Sequence, residues 1–175
     1  MIRKFKKITP TIGSNCYIDP SAVIIGDVVI GDHCSVWPMS VIRGDVNFIR
    51  IGNNTNIQDG SVLHVSHAGK LNPEGAALRI GNNVTVGHKV ILHACEIGDF
   101  CLIGMGSIVM DEAILEKQVM LGAGSLVPPG KTLTSRHLWL GSPVKKVRPL
   151  SKQEIEYLEY SAKHYIHLKK RYLDC

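Results

Sequence analysis

Residues 12–42 read IGSNCY-IDPSAV-IIGDVV-IGDHCS-VWPMSV-I, and an aliphatic residue opens every sixth position: Ile12, Ile18, Ile24, Ile30, Val36 and Ile42. The ladder continues outward from there. A nine-residue step reaches Ile51, followed by Ile57 and Leu63. After an excursion from about Ser66 to Arg79 it resumes at Ile80, Val86 and Leu92. One residue is then dropped, and Ile97, Ile103, Val109, Leu115, Leu121 and Val127 follow. All eighteen rungs are Ile, Leu or Val in a chain that is only 45% hydrophobic, so chance does not fill them. Four residues past a rung the side chain is mostly small or β-branched, as at Cys16, Cys34, Ser40, Thr55, Ser61, Cys101 and Ser107. Glycine often follows the rung directly, as at Gly31, Gly52, Gly81, Gly98 and Gly104.

Six is not a multiple of the helical 3.6, and seventeen glycines would penalise helices. A very short strand and a corner per hexapeptide accounts for both facts. One large and one small side chain point inward, and Gly or Asn takes up the backbone strain of the corner. Three units close one triangular coil. The expectation is an all-β fold, a parallel β-helix of about six coils stacked at ~4.8 Å over residues 1–134, with 66–79 as a loop. Residues 135–150, which include Gly141-Ser-Pro143, read as a connector. Ser151-Lys-Gln-Glu154 is a capping box, and Ile155, Leu158, Ala162, Tyr165, Ile166 and Tyr172 recur at helical spacing. The segment 151–175 is therefore expected to hold one amphipathic helix, from about Lys152 to Tyr172. It should pack on the β-helix of its own subunit or a neighbour.

Length and composition bound the function classes. A chain of 175 residues with 20% charged residues suits one compact domain and excludes disorder as its main state. No apolar run approaches the ~20 residues of a membrane span. The basic start, Met1 to Ile8, lacks the apolar core of a secretory signal. Five cysteines, an odd number without a CxxC pair, point to a reducing cytoplasm. The net charge of +5 sits largely in the first seven residues and the tail after Lys145. No nucleic-acid motif accompanies it, so no nucleic-acid partner is expected.

Two of the eight histidines fall into register. His64 and His93 directly follow the rungs Leu63 and Leu92, which are three units apart once the excursion is looped out. Three units make one coil, so the two imidazoles stack roughly 5 Å apart in one column, where they can share a metal. His88, in Val86-Gly-His88, lies around a corner on another face. It can reach the same ion from a second copy in a three-fold oligomer. Three histidines with an open fourth position form the ligand set of a catalytic zinc. The plainer alternative is three surface histidines without a metal.

Val41-Ile-Arg-Gly-Asp45, the segment IGNNTNIQD at 51–59, Leu63-His64, Val86-Gly-His88 and Leu92-His93 together carry a resemblance. Over nearly its whole length the chain resembles the γ-class carbonic anhydrases of the hexapeptide-repeat family. The resemblance implies a left-handed β-helix and a homotrimer with its sites at subunit interfaces. It implies His64 and His93 from one subunit and His88 from the next as ligands of Zn2+, with Fe2+ or Co2+ as alternatives. It further implies an Arg43–Asp45 interface ion pair and a Gln58 that orients metal-bound water. Asn56 and Asp59 would be polar neighbours of the site, and Tyr160 is grouped with the interface. Asn and Asp also favour turns, a simpler reason for Asn56 and Asp59.

The implied reaction is that of a carbonate dehydratase-like lyase, in which metal-bound hydroxide attacks CO2 to give bicarbonate. The founding type of the family carries acidic residues for proton transfer. Here Val46 follows Asp45, and His67 stands in the loop after His64. His67 is a candidate substitute shuttle, since an ordinary imidazole titrates near neutrality; the alternative is a loop residue with no role. Cys95, two residues from His93, reads as a small buried hydrophobe. Three alternatives stay open: thioesterase-like hydrolysis at the same site, a hexapeptide acyltransferase with one His as base, and a metal-stabilised trimeric scaffold without turnover.

Overall fold

The computed structural model describes residues 1–70 and 72–174. Parallel pairing stacks Ile12, Ile30, Ile51, Ile80, Ile97, Leu115 and Leu133 up one face. A second face stacks Ile18, Val36, Ile57, Val86, Ile103, Leu121 and Trp139. The third stacks Ile24, Ile42, Leu63, Leu92, Val109 and Val127. The chain is thus a parallel β-helix closed by a C-terminal α-helix, with the ladder register expected from the sequence. Rungs of all three faces meet in one continuous core from Ile12 to Val144. Burying such side chains stabilises the coil by roughly 1.5–3 kcal/mol each.

The inward small residues solve a second problem, since a hydroxyl inside the prism needs a partner. Ser40 donates to the Gln58 carbonyl at 2.9 Å, and Ser61 to that of Gly87 at 3.0 Å. Among the described residues no buried side-chain nitrogen or oxygen lacks a partner.

The corners differ from expectation in who bears the strain. The left-handed backbone falls on the third residue after the rung, and seven of those residues are neither Gly nor Asn: His33, Met39, Lys89, Phe100, Glu112, Gln118 and Arg136. The glycines directly after rungs serve a different purpose, the close approach of stacked corners. A Cβ on Gly31 would lie 2.3 Å from Asn53 Oδ1 and 2.9 Å from its backbone nitrogen. At that corner carboxyl and amide oxygens climb the stack. Ser14 N donates to Asp32, Asp32 N to Asn53, Asn53 N to Asn82, and Asn82 N to Asp99, all within 2.6–2.8 Å.

The stretch 135–150 is more ordered than a connector. The ladder runs two rungs past Val127, to Leu133 and Trp139, and His137–Leu140 stacks in parallel on the coil below. Lys145–Pro149 then returns antiparallel to it. Gly141-Ser-Pro143 is the turn between these two strands. Its Pro and Gly content masked the six-residue step at Leu133 and Trp139.

The helix Lys152–Leu173 begins with both bonds of its capping box: Ser151 N donates to Glu154, and Glu154 N to Ser151 Oγ. It lies on the second face of its own chain and buries Leu158 and Ala162 there. Near its end Tyr165 and Tyr172 meet Trp37, with ring centroids 5.7 and 5.0 Å away. No described helix is long and apolar enough to cross a membrane.

The corner geometry predicts an asymmetry between glycines. Gly31→Ala should lower stability by about 1–3 kcal/mol in urea denaturation, because the new methyl has nowhere to go. Gly106→Ala should cost only about 1 kcal/mol: its φ is +69°, but nothing lies within 4 Å of the added carbon. Equal losses would contradict this account of the stacked corners.

Candidate metal centre

Leu63 pairs with Leu92 and His64 with His93, so the two histidines stand one above the other on the third face. Their ring centroids are 5.2 Å apart, and His64 Nδ1 lies 3.2 Å from His93 Nε2. Below them, Ile42 pairs with Leu63, which puts Arg43 in the same column. The nine-residue step after Ile42 adds three residues to the corner, within the strand Val41–Ile51, and Asp45 lies in that addition. There it reaches His64 Nε2 at 3.0 Å and forms an ion pair with Arg43. This ion pair lies within one chain. Above the pair, Asp111 Oδ2 is 3.0 Å from His93 Nδ1.

The two carboxylates decide how the rings are protonated. Burial opposes ionisation of Asp45, but the His64 hydrogen bond and the Arg43 guanidinium outweigh it and hold its carboxyl below the usual range. A carboxylate only accepts, so His64 carries its proton on Nε2 and His93 on Nδ1. The nitrogens that face each other, His64 Nδ1 and His93 Nε2, then both present lone pairs. Such a pair needs an electrophile between them, either a proton or a metal ion. Burial pushes the His64 pKa below its ordinary value against the pull of Asp45, which disfavours the proton. The 3.2 Å gap is close to the roughly 3.3 Å separating two nitrogens that each sit 2.0–2.1 Å from one tetrahedral ion. The donor set therefore fits a divalent metal.

The remaining residues form a second cluster around the corner. Gln58 and Asn56 are buried, and Gln58 Nε2 donates to Asn56 Oδ1 at 3.1 Å. Asn56 in turn donates to Thr85 Oγ1, which bonds Ser161 of the helix. Asp59 holds His88 Nδ1 at 2.9 Å, which leaves Nε2 as the ring nitrogen for any further ligand. Among the described residues of one chain, no three metal-type side chains converge on one point. His67 is exposed in the loop, and no hydrogen bond among the described residues ties it to either cluster. Tyr160 is 59% exposed, and its ring neighbours are Tyr157 and His164 on the outer side of the helix. Cys95 is buried in the core, as expected of a small hydrophobe.

Asp111 is the residue that sequence reasoning missed. Its signal was available: Val109 pairs with Leu92, so Asp111 sits at the corner one coil above His93.

Residues 9–44 match the family model for the bacterial transferase hexapeptide (six repeats). The chain belongs to the hexapeptide-repeat family and, within it, to the γ-class carbonic anhydrase-like proteins. It is 55% identical to Protein YrdA of Escherichia coli over 174 residues, covering 99% of this chain and 95% of that one. It is 43% identical to gamma carbonic anhydrase 2, mitochondrial, of Arabidopsis thaliana, over 91% of this chain but only 57% of the plant protein. A solved structure of a hexapeptide transferase family protein from Anaplasma phagocytophilum superposes with a TM-score of 0.91 at 43% identity, over 98% of both chains.

If Asp111 orients His93, Asp111→Ala should weaken Zn2+ or Co2+ binding 10–100-fold in a chelator-competition titration. An unchanged affinity would remove Asp111 from the site.

Proposed function

We propose that the protein is a metal-dependent hydratase of CO2, assembled as a homotrimer whose sites form between subunits. The observation that carries this reading is the division of the site residues into two clusters on different sides of one coil. One cluster offers two facing ring nitrogens and the other offers one, His88 Nε2. A three-fold axis that brings the second cluster of one copy against the first of another supplies three imidazoles and leaves a position open for substrate. Bound Zn2+, Fe2+ or Co2+ would supply the Lewis acidity that ionises water near neutral pH.

The chain's own groups do the rest. Asp45 and Asp111 hold the tautomers and ring planes of His64 and His93, and Arg43 keeps Asp45 ionised. Asp59 does the same for His88. Gln58, locked by Asn56, presents an amide that orients the attacking water toward CO2. The reaction releases one proton per bicarbonate, and His67, exposed in the loop that follows His64, carries it to solvent.

One observation favours a second chemistry on the same histidines. A cleft of about 690 Å3 opens under the excursion loop, lined by Phe48, Asn72, Arg79 and Glu112. Ala94 and Cys95, directly after His93, line it too. It offers room for an acyl group, which thioester hydrolysis requires.

Stopped-flow CO2 hydration should be lost on chelation and return with Zn2+ or Fe2+. His64→Ala and His88→Ala subunits should each be inactive alone. Co-expressed, they should regain about one quarter of the sites by random assembly. A fully metallated protein without turnover would reject the hydratase. No recovery in the mixed trimer would reject the shared site.

A further inference from the structure

Far from the histidines, the interior of the first two coils holds two thiols. Tyr17 pairs with Ser35 in parallel register, so Cys16 lies one coil from Cys34 in the same inward slot. The strand spacing of ~4.8 Å is within the 4.4–6.8 Å between Cα atoms that a disulfide spans. Cys34 is buried, while Cys16 is partly open to solvent.

Lys169, near the end of the helix, reaches the backbone directly before Cys16. It is 1% exposed, and its ammonium donates to the Asn15 carbonyl. Among the described residues no carboxylate pairs with it. A buried ammonium without a counter-ion is costly, and the groups beside it that can become anionic are Cys16 and Cys34.

We propose that Cys16 is a reactive thiolate site for small-molecule disulfides, with Lys169 as its counter-ion and Cys34 as the resolving thiol. Each thiol donates to a backbone carbonyl one coil on, Cys16 to that of Gly31 at 3.1 Å and Cys34 to that of Gly52 at 3.0 Å. The neighbouring Cys34 thiol and the Lys169 charge favour the Cys16 thiolate, while burial and the Asp32 carboxylate of the next coil oppose them. The balance brings the Cys16 pKa down to about 7. The Cys16 neighbour, with burial, holds the Cys34 proton in place. The other described thiols lack this environment: burial pushes Cys101 up to about 12 and Cys95 well above its ordinary value.

The chemistry balances in two exchanges. The Cys16 thiolate attacks one sulfur of a disulfide RSSR, forming Cys16–S–S–R and expelling RS−. Cys16 no longer carries the charge that retained the Cys34 proton, so Cys34 can ionise beside Lys169. Its thiolate attacks the Cys16 sulfur and expels a second RS−. The Cys34 proton ends on a released thiolate. Two protein thiols are oxidised to one disulfide and RSSR is reduced to two thiols. The product ties the first two coils together and removes the anion that faces Lys169.

The test is peptide-resolved mass spectrometry on the intact, folded protein. Alkylation of Cys16 by iodoacetamide should titrate with a midpoint near pH 7, while Cys95 and Cys101 stay slow. Glutathione disulfide should yield a linked Cys16–Cys34 peptide pair, and Cys34→Ser should stop at glutathionylated Cys16. Lys169→Met should cut the alkylation rate at pH 7 about fivefold, the drop in thiolate fraction for a one-unit rise in pKa. A wild-type midpoint near the ordinary ~8.5, or no linked peptide, would overturn the proposal without reference to any variant.

Discussion

Everything in this molecule depends on parallel, in-register stacking of one coil on the next. Each aliphatic rung must meet the rung three units on, so the hexapeptide can be violated only at corners, where chain can bulge outward without disturbing the stack. The violations are not scattered. The nine-residue step after Ile42, the excursion after Leu63 and the shortened step after Leu92 all occur at the corner that ends the third face. These are the coils that carry Arg43 with Asp45, His64 and His93. At the same corner, the steps after Ile24, Val109 and Val127 keep the regular six. The fold is irregular where the imidazoles are, and the irregularity has a use. The added residues carry Asp45 to His64, and the excursion walls the cleft that begins at Ala94.

The same stacking sets the electrostatics. Two rings one coil apart would ordinarily hydrogen-bond, one donating to the other. Carboxylates at both ends of this pair claim the donor nitrogens, so two acceptors confront each other across 3.2 Å. Partial burial of His64 makes a bridging proton a poor remedy. A divalent ion would satisfy the arrangement, and the outer carboxylates would then raise the basicity of the two imidazoles. The His88 cluster has the same design in miniature, with Asp59 on one nitrogen and the other turned outward.

Much of this was legible before any coordinates, because the six-residue period is arithmetic. Counting three units per coil was enough to place His93 on His64 and Arg43 beneath them. What escaped was information that does not repeat. Asp111 belongs to no motif, and its role appears only when each histidine is asked which acids lie one coil away. The last two rungs, Leu133 and Trp139, were hidden by Pro- and Gly-rich sequence between them and the helix. Positive φ at Phe100, Gln118 and Arg136 could not be read from residue type, because stacking of neighbouring corners overrides local preference. The division of polar residues into two clusters was only half visible: the corner separating His88 from His93 was evident, but Gln58 and Asn56 joining the His88 side was not.

The central claim is that the facing nitrogens of His64 and His93 take a metal whose third ligand is His88 of another copy. A crystal structure of the Zn2+-loaded protein, with anomalous maps at the zinc edge, tests it directly. The account predicts one peak per chain, about 2.0–2.1 Å from His64 Nδ1, from His93 Nε2 and from a ring nitrogen of a symmetry-related His88. A peak elsewhere, or one held by a single polypeptide, would contradict it.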